Sequence, residues 1–316
     1  MGSTNMDKLN MNKPGMDKLI ISARINEYEM RDGNPNVPWT PGEIAADAKA
    51  CREAGAAIVH FHARKPDGAP EPDPRVCGQI IRNIRDLTDI LVYPTLGVLS
   101  RKLPILQRLQ PVLDLAASPA TRPDIVPLCL SSPNWDFYDA DRQALRGADH
   151  VYLNPTDELI ACIETLRSTG VGLECVSWEI GATRRIAALR DAAILPDPIM
   201  VAFHLTSGGM LAGHPGTAEG VETHLDFLPD RGPYRWAVMN LHGSMLPLAE
   251  AIIRSGGHVQ LGIGDYHYRE LGAPTNADLV REVVRIAHAC GREVATPDEA
   301  RRILGFSSVS AAKELI

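Results

Sequence analysis

Short apolar runs rich in β-branched residues alternate with longer amphipathic stretches along almost the whole of this chain, and that rhythm constrains its fold most. The runs are Leu19–Ile25, Ala57–His62, Ile90–Leu96, Ile125–Leu130, Gly172–Trp178, Ile199–Leu205, Trp236–His242 and Val259–Ile263. Most are continuously apolar rather than alternating, the pattern of parallel strands covered on both faces. The intervening stretches carry helix punctuation. Thr40-Pro41-Gly42-Glu43 and Thr296-Pro297-Asp298-Glu299 read as capping boxes with proline at the first helical position. Ala45–Ala54 runs into Gly55 and Asp278–Cys290 into Gly291, where a helix end favours a left-handed residue. Eight strand–helix units predict an α/β chain folded as a (β/α)8 TIM barrel, a parallel eight-stranded barrel with outer helices. An open doubly wound sheet is the alternative. No GxGxxG follows the first strand, so a dinucleotide fold has no positive support.

With 316 residues, 45% of them hydrophobic, the chain can bury one large core. No long linker interrupts it, so residues 17–316 are expected to form a single catalytic domain. Residues 1–16 read as a disordered N-terminal extension, within which Met6-Asp7-Lys8-Leu9 anticipates Met16-Asp17-Lys18-Leu19. Lys and Arg number 32 against 39 Asp and Glu, a net charge of −7, which argues against nucleic acid as a partner. No apolar run approaches the ~20 residues that span a bilayer. The six cysteines are scattered without a CxxC pair and read as buried thiols of a reducing compartment. With no signal-peptide pattern in Met1–Asn12, the expected location is cytoplasmic.

In a barrel, chemistry sits where strands end and βα loops begin. Val59-His60-Phe61-His62-Ala63-Arg64 places two histidines two residues apart on one strand, facing the same way. Two imidazoles at a strand end are half of a metal site, and zinc suits them. The competing reading makes both hydrogen-bonded histidines of the barrel interior. Arg64 then leads into the polar turn Lys65-Pro66-Asp67-Gly68.

The stretch from Pro38 to Gly68 resembles the start of the β-keto acid cleavage enzymes, a family whose named member cleaves 3-keto-5-aminohexanoate. The resemblance continues through Gly172–Gly181, Trp236–Pro247, Gly256-Gly257-His258-Val259 and Asn276–Gly305. It implies a barrel holding a divalent metal, usually zinc. The reaction it implies is a retro-Claisen exchange in which a β-keto acid and acetyl-CoA give acetoacetate and a new CoA thioester. It also implies a homotetramer. Carried over residue by residue, His60 and His62 match the metal histidines, and Thr95 a serine of the substrate pocket. Asp265 matches the catalytic aspartate and Glu29 a glutamate that binds the substrate's amino group. Ser132 and Asn134 fall where the family has Thr and Asn after strand four, and Arg64 is placed to position the substrate.

The departures matter as much. The family's eighth strand reads Arg-x-Gly-x-Glu-Asp, its Glu the third metal ligand and its Arg catalytic. Here the stretch is Gln260-Leu261-Gly262-Ile263-Gly264-Asp265, leaving Gln260 as a neutral substrate contact and no carboxylate at 264. Candidates for the missing ligand are Glu27, at a usually Gly position ending the first strand, His242 ending the seventh, His204 near the end of the sixth, or water. Glu27 is also a candidate base.

The expected function is metal-dependent C–C cleavage and acyl transfer on a β-keto acid with acetyl-CoA. A metal-dependent hydrolase or isomerase on the same barrel is the rival enzyme, and a keto acid or CoA-ester binding protein the non-catalytic alternative. Glu174 and Glu179 are expected in salt bridges, and Tyr266-His267-Tyr268 in loop packing. Asp141, Arg142, Arg184 and Arg185 are expected on solvated helix faces. His224, His258 and His288 are assigned no functional role.

Overall fold

The computed structural model describes residues 17–27, 29–96, 103–147, 150–228 and 232–306. The disordered extension expected over residues 1–16 lies outside them. Each expected strand forms: β1 (Ile21–Arg24), β2 (Ile58–Phe61), β3 (Leu91–Pro94), β4 (Ile125–Cys129), β7 (Gly172–Ser177), β8 (Ile199–Thr206), β9 (Tyr234–Leu241) and β10 (His258–Leu261). They line up in one parallel sheet in the order β3-β2-β1-β10-β9-β8-β7-β4. The ends meet where the Asp124 N–H donates to the Val92 carbonyl at 2.9 Å and the Asp124 carboxylate accepts from the Val92 N–H at 2.8 Å. Arg301 holds the other oxygen of that carboxylate at 2.7 Å. The nearly closed ring is a TIM barrel.

The helices outside it are α1 (Pro41–Ala54), α2 (Pro74–Leu87), α3 (Ile105–Ala116), α4 (Thr156–Arg167), α5 (Ile180–Asp191), α6 (Ala218–Asp226), α7 (Leu246–Arg254), α8 (Asn276–Ala289) and α9 (Pro297–Ile303). Thr40 and Thr296 close the two expected capping boxes, and Gly55 ends α1 at φ 118°. A third box, Thr275 with Asp278, opens α8.

Alternation along the strands divides the core. Ile20, Ile58, Leu91, Ile125 and Met200 cluster together, whereas their neighbours Ile21, Val59, Val92, Val126 and Val201 belong to a separate cluster with the helices. Successive side chains of a strand face opposite ways, so the first set plugs the inside of the barrel and the second packs outward. Both faces are therefore apolar, as the continuous runs require.

One excursion was not legible in the periodicity. Between β4 and α4 the chain makes an antiparallel hairpin, β5 (Phe137–Asp139) with β6 (Ala144–Arg146). It docks on the loop after β8, where the Tyr138 N–H donates to the Gly209 carbonyl at 2.7 Å. Gly209 has φ 85°, and a Cβ there would lie 2.4 Å from the Tyr138 carbonyl oxygen, so only glycine allows this approach.

Candidate active site

Strand register assembles the site. Arg24 of β1 pairs with His60 of β2, and His60 with Tyr93 of β3, so three inward side chains share one level. Just beyond β1, Glu27 spans the two histidines, with one carboxylate oxygen 2.9 Å from His60 Nε2 and the other 2.9 Å from His62 Nε2. The two Nε2 atoms lie 3.2 Å apart. All three side chains are buried. The Arg24 guanidinium donates to the same Glu27 carboxylate through Nη2, to Asp265 Oδ1 through Nε at 3.0 Å, and to Gln260 Oε1 through Nη1 at 3.4 Å. Below this level the Gln260 amide and the Tyr93 hydroxyl both donate to Glu174.

The backbone around Glu27 is held as firmly. The Asn26 side chain accepts the His62 N–H at 2.8 Å and donates to the His62 carbonyl at 2.9 Å, zipping the end of β1 to β2. Arg64 donates to the carbonyls of Asn26 at 2.6 Å, Glu27 at 2.5 Å and Glu29 at 3.1 Å.

Burial, then the Arg24 charge and His62, hold His60 well below the usual imidazole range, leaving it neutral with a lone pair to offer. Burial pushes Asp265 up to about 6, against the pull of Arg24. Glu174 is raised, by burial above all. Burial is the largest single influence on Arg24 and lowers it, but Asp265, Tyr93 and Glu174 together raise it, so the guanidinium stays charged.

The donor set fits a divalent metal. Among the described residues Glu27, His60 and His62 are the one group of three such side chains whose ligand atoms lie within 4.8 Å of one another. Ligands at zinc bond lengths of ~2.0–2.1 Å and tetrahedral angles would be about 3.3 Å apart. The observed 3.2 Å and 2.9 Å spacings are close to that. Two imidazoles and a carboxylate are also ligands that zinc accepts.

These residues form one side of a cavity of ≈ 100 Å³ at the C-terminal ends of the strands. Its other side is apolar and aromatic, made by Trp135, Tyr152, Trp178, Val176, Met239 and Leu241. Trp178 stands edge-on to Trp135 at 5.4 Å and to His204 at 5.0 Å.

Of the expected ligands, Glu27, His60 and His62 come together. His204 lines the cavity beside Trp178, and neither of its ring nitrogens has a hydrogen-bond partner among the described residues. Half-buried His242 packs against Phe137 at 5.5 Å. Thr95 lines the cavity at the end of β3. Arg64 is spent on backbone carbonyls, because a guanidinium only 5% exposed must have its donors met. Gln260 and Asp265 sit behind Arg24 and are not among the lining residues. Neither is Glu29, which is half-buried and raised by burial and by Asp32. Ser132 is exposed and exchanges hydrogen bonds with the Asn154 backbone, and exposed Asn134 bridges to Val151. Several structural expectations need correction. Asp141 and Arg142 are exposed, but they lie in the turn of the β5–β6 hairpin and not on a helix. Among the described residues neither Glu174 nor Glu179 makes a salt bridge: Glu174 is fully buried and met by neutral donors, and Glu179 sits at the N-cap position of α5. Arg185 is not a solvated residue, for its guanidinium turns inward to the Leu130 carbonyl at the end of β4.

Sequence reasoning missed Arg24 and the aromatic side. A charged residue inside Leu19–Ile25, two positions from Ser22 and so facing inward with it, was the available signal for Arg24. Trp135 and Tyr152 lie on the loop excursion and carry no periodic signal.

A family model described as beta-keto acid cleavage enzyme matches residues 18–306. The chain is 30% identical over 296 residues to the 3-keto-5-aminohexanoate cleavage enzyme of Acetoanaerobium sticklandii, covering 92% of this chain and 100% of that one. It is 26% identical over 301 residues to the 3,5-dioxohexanoate:acetyl-CoA acetone transferase of Paraburkholderia graminis, covering 90% and 94%. The solved complex of ObcA with oxaloacetate matches with a TM-score of 0.66 at 15% identity, over 87% of this chain and 68% of that one, a likeness of fold.

Proposed function

The chain belongs to the β-keto acid cleavage enzyme family, and from that premise we propose that it exchanges acyl groups between a β-keto acid and acetyl-CoA at the Glu27–His60–His62 centre. The C2–C3 bond of the β-keto acid breaks. Its carboxymethyl carbon forms a new bond to the acetyl carbonyl, giving acetoacetate, and the released acyl group leaves on the CoA sulfur. The observation that carries this reading is the Glu27 carboxylate, which spans both histidines at the cavity wall. The family's last barrel strand carries an arginine and a glutamate where this chain has Gln260 and Gly264. Here both charges come from the neighbouring β1 and the residues just after it, as Arg24 and Glu27. The exchange is enforced sterically, since a Cβ at 264 would lie 2.5 Å from the Glu27 nitrogen and 2.6 Å from the Asn26 nitrogen.

His60, His62 and Glu27 would hold the divalent ion, zinc by the nature of the donors, and bound there it would supply Lewis-acid polarisation of the keto carbonyl. Arg24 keeps Glu27 oriented and offers the substrate carboxylate a positive charge at the cavity wall. Asp265 is a positioning residue that fixes Arg24 from behind. Thr95 presents a hydroxyl where the substrate enters. The reading includes one catalytic domain over residues 17–316, assembly as a homotetramer, and a cytoplasmic location. No helix among the described residues is long and apolar enough to cross a membrane.

Elemental analysis of protein purified without added metal tests the reading, together with acetoacetate formation assayed with and without acetyl-CoA. One divalent ion per chain and acetyl-CoA-dependent product are expected, both lost in the His60→Ala/His62→Ala protein. A wild type that neither carries nor takes up metal, or that forms product without acetyl-CoA, would overturn it.

A further inference from the structure

We infer that the β-keto acid taken by this cavity carries an uncharged, apolar side chain; the inference rests on the reading that the cavity binds such an acid. The charges at the wall are gathered on one side of the cavity. Among the described residues the lining holds one cationic guanidinium, Arg24, and one carboxylate, Glu27, and these are bonded to each other. Arg24 also holds Asp265 and Gln260, and Glu27 spans the two histidines. The carboxylate common to every β-keto acid has Arg24 and the metal centre to meet it. A second charge, at the far end of the substrate, would meet only the opposite wall.

Among the described residues that wall offers no counter-ion. Trp135, Tyr152, Trp178, Val176, Met239 and Leu241 present rings and alkyl groups, and the imidazole among them, His204, is kept uncharged by burial, so an ion held there loses its hydration and meets no opposite charge. The aromatic rings also leave little for a cation–π contact. Arg108 already lies 4.6 Å from the centroid of the Tyr152 ring, and its positive charge disfavours a second cation on that ring. Trp135 and Trp178 are packed edge-on against each other at 5.4 Å. An uncharged chain gains from burial on such a surface and requires no partner.

Three β-keto acids of equal chain length separate the cases: 3-oxohexanoate, 3-oxoadipate with its terminal carboxylate, and 5-amino-3-oxohexanoate with its ammonium. With the metal-loaded enzyme and acetyl-CoA, kcat/KM for 3-oxohexanoate is expected to exceed both others by at least about 100-fold. Calorimetric titration of the same acids without acetyl-CoA should follow the same order. Turnover of either charged acid as fast as 3-oxohexanoate overturns the inference while the proposed reaction stands. Preferential binding of 3-oxohexanoate with no turnover of any of the three overturns the reaction but keeps the ligand class. No binding and no turnover overturns both. Trp135 is half-buried, so Trp135→Arg can be accommodated; it should shift the ratio toward 3-oxoadipate by about tenfold. An unchanged ratio would remove Trp135 from the side-chain pocket.

Discussion

The two sides of the cavity are built by opposite means. On β1, β2 and β10 and the residues just beyond them, Arg24, Glu27, His60, Asp265 and Gln260 form one hydrogen-bonded network in which the central guanidinium meets two carboxylates and an amide. Across from it, Trp135 and Trp178 meet edge-on and Tyr152 lines the same wall. A buried polar network is stable only when complete, so losing one member exposes the others to the full cost of burial. An apolar wall loses what the removed atoms contributed, and little more.

The sharpest way to break this contrast is Arg24→Met. It leaves the Glu27 and Asp265 carboxylates buried without their cation, and is expected to cost about 3–5 kcal/mol in urea unfolding of the metal-free protein. Trp135→Leu on the opposite side is half-exposed and should cost about 1 kcal/mol, with metal content unchanged. Equal losses from the two substitutions would mean that the charge network is not what holds the first wall. Adding Asp265→Asn to Arg24→Met should recover part of the loss, because one of the stranded carboxylates is then neutral.

Gly264→Ala presses on the network without removing any of its groups. The added methyl would lie 2.5 Å from the Glu27 nitrogen, and overpacking of this kind costs about 1–3 kcal/mol. Because the displaced segment carries Glu27, metal content by elemental analysis should fall as well. A variant that keeps full metal would show that the loop yields elsewhere. Asp265→Asn alone is expected to be milder: the amide oxygen still accepts from Arg24 Nε, metal stays bound, and kcat falls about tenfold through a less firmly held guanidinium. A loss of metal in that variant would assign Asp265 to ligand positioning rather than to Arg24.

The contrast also explains what could be read in advance. The eight strands were legible because continuous apolar runs have few alternatives in a parallel barrel covered by helices. His60 and His62 were legible because residues two apart on a strand share a face. Glu27 could be named because it replaces a small residue at a strand end, beside a strand that had lost its own carboxylate. Arg24 was overlooked although the same argument applies to it: Gln260 had lost a positive charge, and the register pairs the adjoining Ser22 with Gln260. Roles carried over for Arg64, Ser132 and Asn134 came from position alone, and position does not say whether a donor faces the cavity or a backbone carbonyl. The aromatic wall depends on where a loop of irregular backbone docks, through Gly209 and Tyr138. No local pattern encodes that contact between residues distant in sequence.

The smallest test concerns the outer brace of the polar side. Asn276, at the start of α8, donates to the Ile25 carbonyl at 3.1 Å and accepts the Ile263 N–H at 2.8 Å, tying β1 to the end of β10. Its amide also donates to the Asp47 carboxylate of α1 at 2.6 Å. Burial pushes Asp47 up to about 6, only partly offset by that hydrogen bond. A carboxyl raised in the folded protein favours folding while it is protonated, and that contribution disappears as the pH rises from the unfolded value near 4 through the folded value near 6. Asp47→Asn, which keeps an acceptor for Asn276 and never ionises, should therefore match the wild type at pH 4 and exceed it at pH 8. Asp47 is only half-buried by its exposed surface, so screening limits the gain to about 1 kcal/mol. Urea unfolding of the metal-free proteins at the two pH values reads the difference. A variant less stable at pH 8 would mean that the Asp47 charge strengthens its bond to Asn276 by more than burial penalises it, and the brace would then belong to the same charged network as the wall it supports.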